Sequence, residues 1–367
     1  MRTLLHAALC LGLCTALPCP PAWGKPPASP AARTETGQIQ GAPWRIDYPA
    51  NWNGELVLFA HGFEPVGTPR PDPWPGNESS DALVKAGFAV AQSGYASQGW
   101  AVGEAINDTE RLRQHFVAGN PTTKRTWILG FSMGGAVAIA TLERLPQHYA
   151  GGVSLCGANL PGDVLAGEML ASLLAFDYFF PGASGLTDAG LASPAAAALP
   201  QMKLYEGIAA AIEAKPEIAA LLARRLEVRV DELPGTISLH ALVFHELVKR
   251  SGGMPVDNRQ TKYAGFGDDK AFNAGVRRVA ADATAQAWLQ QELRLTGVLH
   301  RPLLLQYNHD DPSVTLRFEP VYMALAAKAG ADPAPKVLPR TGEGHCGFKP
   351  DEVVEAMLMQ SRTLPAD

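Results

Sequence analysis

The chain has 367 residues, of which 47% are hydrophobic and 18% are charged, a composition that suits a large folded core and excludes an intrinsically disordered chain. Its formal net charge of -5, with lysines and arginines scattered along the sequence, offers no basic surface for a nucleic-acid backbone and argues against nucleic acid as a partner. The length fits one α/β enzyme that carries an insertion.

The N-terminal segment has the layout of a secretory signal. Arg2 precedes an apolar run from Leu4 to Leu17, and small residues lead up to Gly24, so residues 1–24 are predicted to be a signal peptide. The apolar run is shorter than the roughly 20 residues that cross a bilayer, which argues against stable membrane insertion. We therefore expect a secreted or periplasmic protein, with a flexible Pro- and Ala-rich leader at 25–36.

Short apolar runs then alternate with helical segments. The runs at 55–60 and 87–91 are continuous, which is typical of strands buried on both faces of a parallel sheet. Further candidate strands lie at 125–130 and 151–156. Helical periodicity between them predicts an α/β fold with helices covering the sheet.

The alternation of strands and helices is interrupted in the middle of the chain. Helical segments separated by Pro and Gly occupy residues 161–295, and strands resume at 302–307 and 335–339 before a final helix. We predict one catalytic core formed by two stretches of chain, 37–160 and 296–367, with a helical cap inserted at 161–295.

A nucleophile motif stands between the third apolar run and an Ala-rich helix. The residues Gly130-Phe131-Ser132-Met133-Gly134 match Gly-x-Ser-x-Gly in the strand–turn–helix context that this motif requires. A serine on such a tight turn has strained backbone angles, and glycines let the strand and helix approach closely. The motif predicts Ser132 as a nucleophile near the N-terminus of a helix, where negative charge is stabilised.

A serine hydroxyl needs a histidine base, and the histidine needs a carboxylate that orients it. The expected order along the chain is serine, acid, histidine. Asp310 and Asp311 follow the strand at 302–307, and either carboxylate could serve. His345 is the one histidine beyond them, in a glycine-rich loop after the last strand, and is therefore predicted to be the base.

In this order, His61-Gly62, Ser132 in its motif, Asp311 and His345 resemble the α/β-hydrolase superfamily, and the inserted cap resembles that of its esterase- and lipase-like members. The resemblance covers roughly residues 54–154 and 301–360. It implies an eight-stranded, mostly parallel sheet and acyl transfer through an acyl-serine without a cofactor.

The same resemblance implies roles for individual residues. Relatives commonly place the acid directly before a proline or an apolar residue, which favours Asp311 over Asp310. The backbone N–H groups of Phe63 and Met133 would form the oxyanion hole.

Aromatic residues follow the second apolar run. Tyr95 and Trp100, together with His61, are candidate walls of a substrate pocket. Core packing of these side chains is an equally open interpretation.

Two cysteines remain after removal of the signal, Cys156 and Cys346. An even pair in an oxidising compartment predicts one disulfide, which would tie the loop of His345 to the end of a strand. The alternative is a pair of unpaired, buried thiols.

No metal site is predicted. His240 and His245 are five residues apart, which puts them on different sides of a helix. Asp268-Asp269 lacks the ligand spacing of a calcium loop.

The leading functional hypothesis is an exported serine hydrolase that cleaves a small-molecule or oligomeric carboxylic ester. The alternative is a serine peptidase resembling prolyl aminopeptidases, which would need acidic cap residues to hold a substrate amine. Candidates for that role are Glu168, Asp177 and Glu246.

Overall fold

The computed structural model describes residues 31–183 and 185–364, so the predicted signal peptide at 1–24 lies outside the described residues. The described part of the chain contains eight strands: β1 (Arg33–Ile39), β2 (Ala42–Tyr48), β3 (Glu55–Ala60), β4 (Ala89–Ser93), β5 (Arg125–Phe131), β6 (Gly151–Leu155), β7 (Leu303–Gln306) and β8 (Lys336–Val337). They form one sheet in the order β1-β2-β4-β3-β5-β6-β7-β8. Strands β3 to β8 pair in parallel, and β1 and β2 are antiparallel. The prediction of an eight-stranded, mostly parallel sheet is confirmed.

Helices follow most strands. They are α1 (Glu78–Lys85), α2 (Val102–Gly119), α3 (Met133–Arg144), α4 (Gly162–Phe179), α5 (Pro194–Ala197), α6 (Gln201–Glu213), α7 (Pro216–Leu226), α8 (Leu233–Ser251), α9 (Asp269–Gly275), α10 (Ala283–Glu292), α11 (Glu319–Ala329) and α12 (Pro350–Ser361), with a short 3-10 helix at Leu316–Phe318. Within the described ranges, no helix is long and apolar enough to span a bilayer.

The apolar runs bury both of their faces, as their composition predicts. In β3, Leu56 and Leu58 belong to the core that includes residues of α2 and α3. The alternate residues Val57 and Phe59 belong to a second core against α1 and α12. Because successive strand residues point to opposite faces, a central strand covered by helices on both sides is apolar throughout.

The first strand begins inside the segment predicted to be a flexible leader. Residues 33–36 pair antiparallel with β2, with Thr34 opposite Asp47, and the Thr34 hydroxyl donates to the Asp47 carboxylate at 2.6 Å. The leader prediction of 25–36 is therefore wrong at its C-terminal end. This strand lies at the sheet edge and is largely exposed, so it lacks the apolar pattern that marks a buried strand.

Helices α4 to α10 lie between β6 and β7 along the chain. Eleven of the 18 residues of α4 are buried, and this helix packs against α8. Strand β6 and strand β7 are nevertheless direct neighbours in the sheet, so this helical region leaves the sheet uninterrupted. The assignment of residues 161–295 as a cap domain stays a prediction.

Candidate active site

Ser132 occupies a strained turn between β5 and α3. Its backbone angles are φ 55° and ψ -121°, a conformation that residues with a side chain rarely adopt. The neighbouring strand holds it there, because the Ser132 N–H donates to the Leu155 carbonyl at 3.2 Å and the Ser132 carbonyl accepts from the Ala158 N–H at 3.0 Å. The hydroxyl is thereby presented at the carboxyl edge of the sheet.

Two glycines of the motif are required by close backbone contacts. A Cβ on Gly130 would lie 1.9 Å from the Gly134 carbonyl oxygen, and a Cβ on Gly134 would lie 2.1 Å from the Ala60 carbonyl oxygen. Any larger residue would force β5, α3 and β3 apart. The spacing of the glycines in the motif therefore has a steric cause.

The structure brings Ser132, His345 and Asp311 together in one chain of contacts. His345 Nε2 lies 2.9 Å from Ser132 Oγ, and His345 Nδ1 lies 2.9 Å from Asp311 Oδ2 and 3.0 Å from Oδ1. A carboxylate only accepts, so Nδ1 carries the proton and Nε2 is free to accept from the serine hydroxyl. This is the geometry that a general base requires.

The Asp311 carboxylate is held rigidly. The residue is 3% exposed, and its Oδ1 accepts the N–H groups of Ser313 at 2.8 Å and Val314 at 2.9 Å. Asp310 is exposed, with a positive φ of 51°. Of the two carboxylates left open by the sequence, the structure brings Asp311 to the histidine.

Backbone pairing joins the loop of the acid to the loop of the base. The His309 N–H donates to the Gly342 carbonyl at 2.9 Å, and the Gly344 N–H donates to the His309 carbonyl at 3.0 Å. This short ladder positions His345 relative to Asp311. No sequence pattern points to His309, because a backbone role leaves no side-chain signal.

The segment after β3 lies against the serine. A Cβ on Gly62 would be 3.2 Å from Ser132 Cβ. The Phe63 N–H donates to no backbone carbonyl of the described residues, and the Met133 N–H donates to none outside α3. Both predicted oxyanion donors thus belong to segments that meet at Ser132.

The three candidate pocket residues separate into two groups. Trp100 lines the cavity beside Ser132. Tyr95 is 1% exposed, stacks on His61 with ring centroids 4.0 Å apart, and donates its hydroxyl to the His61 carbonyl at 3.3 Å. Burial lowers the pKa of His61 to about 4. His61 and Tyr95 do not line this cavity, and their rings pack together, in agreement with the core-packing alternative that the sequence left open.

A cavity of about 490 Å³ opens onto Ser132 and His345. Its wall is mainly apolar and comes from the core, from α4, from α8 and from the segment after β7. The apolar side chains include Phe63, Trp100, Leu160, Leu165, Met169, Leu239, Leu242, Val243, Val314 and Phe318. Such a wall suits an apolar ligand group.

Acidic side chains proposed for binding an amine lie in ion pairs or away from this cavity. Glu168 is on the cavity wall, where its carboxylate pairs with Arg317 and Arg225. Asp177 accepts the Leu191 N–H at 2.9 Å, and Glu246 pairs with Arg250 at 2.7 Å. Neither Asp177 nor Glu246 lines the cavity.

The two histidines of α8 have separate partners. His240 Nδ1 lies 2.7 Å from the Ser172 hydroxyl, and His245 Nε2 lies 2.7 Å from the Leu191 carbonyl. Across 31–183 and 185–364, no three His, Cys, Asp or Glu residues form a group that could hold a metal ion.

Cys156 and Cys346 are linked, with their sulfur atoms 1.97 Å apart and 190 residues between them in sequence. Cys346 directly follows His345, and Cys156 directly follows β6 and donates its N–H to the Gln306 carbonyl at 2.9 Å. The link ties the histidine loop to the centre of the sheet.

We predict that the double variant Cys156→Ala, Cys346→Ala loses about 2–5 kcal/mol of unfolding free energy, because the unfolded chain gains conformational freedom. Urea unfolding measures this loss. Because the link adjoins His345, the variant should lose the hydrolytic activity that the sequence predicts, while its far-UV circular dichroism stays near that of the parent. Labelling that finds two free thiols in the native parent protein would contradict the link.

No family model and no curated protein matches the chain. Solved structures match as follows. An acylaminoacyl peptidase in complex with Z-Gly-Gly-Phe-chloromethyl ketone is 12% identical at a TM-score of 0.46, with 90% of this chain and 41% of that chain covered. Est1E from Butyrivibrio proteoclasticus is 11% identical at a TM-score of 0.45, with 90% and 99% covered.

A 2-hydroxy-6-oxo-6-phenylhexa-2,4-dienoate hydrolase from Rhodococcus sp. strain RHA1 is 15% identical at a TM-score of 0.46, with 90% of this chain and 100% of that chain covered. The match to the acylaminoacyl peptidase covers 41% of that protein, so this chain spans less than half of its length.

Proposed function

We propose that this protein, which has the α/β-hydrolase fold, is a serine hydrolase that cleaves carboxylic esters through an acyl-serine. The observation that carries the proposal is the line of contacts from Ser132 Oγ to His345 Nε2, at 2.9 Å, and from His345 Nδ1 to the buried Asp311. This line lies beside a mainly apolar cavity that could hold one portion of an ester.

In the first step, Ser132 Oγ attacks the ester carbonyl while His345 Nε2 takes the hydroxyl proton. Asp311 stabilises the imidazolium that forms, through its contact with Nδ1. Negative charge develops on the former carbonyl oxygen, which would accept from the Phe63 and Met133 N–H groups near the N-terminus of α3.

The tetrahedral intermediate then collapses. The bond to the alcohol oxygen breaks, and the departing alcohol takes the proton from His345, leaving the acyl group on Ser132. His345 next removes a proton from water, which attacks the acyl carbonyl. Release of the acid restores the Ser132 hydroxyl, and no cofactor takes part in the proposed reaction.

An ester fits the cavity better than a peptide with a free amine. Aminopeptidase action would need a carboxylate that is free to pair with the substrate amine. In the described part of the chain, Glu168 is the one carboxylate on the cavity wall, and it is already paired with two arginines. An apolar wall instead stabilises an alkyl or aryl group by removing it from water.

We also propose that the protein is exported and works outside the cytoplasm. The layout of residues 1–24 supports export, and the link between Cys156 and Cys346 is compatible with an oxidising compartment.

The test is hydrolysis of p-nitrophenyl esters of increasing acyl length. For the parent protein, we expect kcat/KM to rise with chain length and then fall when the acyl group exceeds the cavity. If no ester is hydrolysed, the ester proposal is wrong, and aminoacyl amides, prolyl amides included, become the next substrates.

A cavity-filling variant should shift this profile. Leu239 lines the cavity from α8, so Leu239→Trp should lower kcat/KM for the best long-chain ester by about tenfold while changing the acetate ester little. Met202→Trp is the matched control, because Met202 is 65% exposed and lies outside the cavity wall. An unchanged length profile in Leu239→Trp would show that substrates bind elsewhere.

A further inference from the structure

One wall of the cavity carries a histidine that the proposed reaction does not use. His240 lies on α8 between the cavity residues Leu239 and Leu242 and is 6% exposed. Three ionisable side chains of the described chain line this cavity: His345, Glu168 and His240. His345 contacts Ser132 and Asp311, and Glu168 is paired with arginines. Among these three described side chains, His240 alone has no ion pair.

The hydrogen bonds of Ser172 define the state of the His240 ring. Ser172 Oγ lies 2.8 Å from the Met169 carbonyl and 2.7 Å from His240 Nδ1. A hydroxyl has one proton. Both contacts are hydrogen bonds only when Ser172 donates to Met169 and His240 Nδ1–H donates to Ser172.

His240 Nε2 is then an unprotonated acceptor. It has no hydrogen-bond partner among residues 31–183 and 185–364, and it is not among the fully buried unpartnered atoms of those residues, so it keeps contact with the cavity. Burial, reinforced by Arg317 and opposed by Glu168, lowers the pKa of His240 to about 4. The ring is therefore neutral near pH 7. The Nε2 atom therefore offers a hydrogen-bond acceptor in a cavity whose wall is otherwise mainly apolar.

We propose that His240 is a specificity-determining residue that accepts a hydrogen bond, through Nε2, from a hydroxyl or N–H group on the part of the ester that fills the cavity. The inference rests on the proposed ester hydrolase function. It assigns the preferred substrates to a class, esters whose large apolar group carries a hydrogen-bond donor at a distance from the scissile carbonyl. An ester that fills the cavity displaces water from Nε2, and an acceptor that is then left without a donor costs free energy. A donor on the substrate removes that cost.

The experiment compares methyl alkanoates of increasing length with their ω-hydroxy counterparts, by acid release at pH 7.5. For each length, the ratio of kcat/KM for the hydroxylated ester to that for the plain ester is independent of the fraction of folded enzyme. The parent protein should show a maximum in this ratio at one chain length, where it exceeds the ratio at other lengths by about 3- to 10-fold.

His240→Phe keeps a ring of similar size but removes the acceptor, and should flatten the maximum while hydrolysis of plain esters continues. Ser172→Ala releases Nδ1 from its acceptor and should lower the maximum in part. The matched control is His245→Phe on the same helix, outside the cavity wall, which should keep the maximum.

The outcomes separate the inference from the function on which it rests. If the parent hydrolyses plain esters but its ratio does not vary with length, the role of His240 is wrong and the ester hydrolase proposal stands, even if no variant folds. A maximum that persists in His240→Phe also overturns the role. If the parent hydrolyses no ester, both proposals fail.

Discussion

Replacing Ser132 with alanine is expected to lower kcat for p-nitrophenyl butyrate by at least about 10⁴-fold. The variant loses the attacking oxygen, while His345 and Asp311 keep their mutual contact. Without the nucleophile, no acyl-enzyme can form, and only binding and oxyanion stabilisation remain. The folded structure should persist, because the Ser132 contacts that position the turn use backbone atoms. Steady-state kinetics with purified proteins measure the loss.

Ser361→Ala is the matched control for this experiment. Ser361 lies on α12, where its hydroxyl donates to Glu55 at 3.0 Å, and it does not line the cavity. Mass spectrometry after treatment with a fluorophosphonate gives a second measurement, since the adduct should map to the peptide that contains Ser132. Substantial activity in Ser132→Ala, or an adduct on another serine, would contradict the assignment.

Asp311→Asn is expected to lower kcat by about 10³- to 10⁴-fold. The amide would favour the wrong tautomer of His345, because it can donate to Nδ1 and leave the proton on Nε2, where it blocks acceptance from Ser132. The imidazolium would also lose its buried carboxylate partner. A loss in kcat with a smaller change in KM, measured on the same ester, is the expected signature.

The neighbouring carboxylate offers a matched control. Asp310 is exposed and has a φ of 51°, and asparagine adopts this left-handed region as readily as aspartate. Asp310→Asn should therefore retain kcat within about twofold, as expected for an exposed site. If Asp310→Asn were the inactive variant and Asp311→Asn the active one, the assignment of the acid would be reversed.

Local signals predicted much of the fold. The continuous apolar run at 55–60 predicted a strand covered on both faces. The glycines around Ser132 predicted a tight turn, and Cβ atoms at Gly130 and Gly134 would collide with backbone. Strand β1 was not predicted, because it lacks such a local signal. It is an exposed edge strand held by pairing with β2, and such pairing leaves no apolar pattern.

By itself, the sequence predicted the type of sheet, the position of the Ser132 turn and His345 as the candidate base, because each depends on neighbouring residues or on the order of a few residue types. Only the tertiary structure placed Asp311 rather than Asp310 against His345, left His61 and Tyr95 outside the cavity wall and placed His240 in it. These outcomes depend on contacts between side chains that are distant in sequence, such as Asp311 and His345, 34 residues apart, and Ser172 and His240, 68 residues apart. The periodicity of a sequence predicts which face of a helix or strand a residue occupies. The residues that this face contacts depend on how distant segments pack in the folded chain.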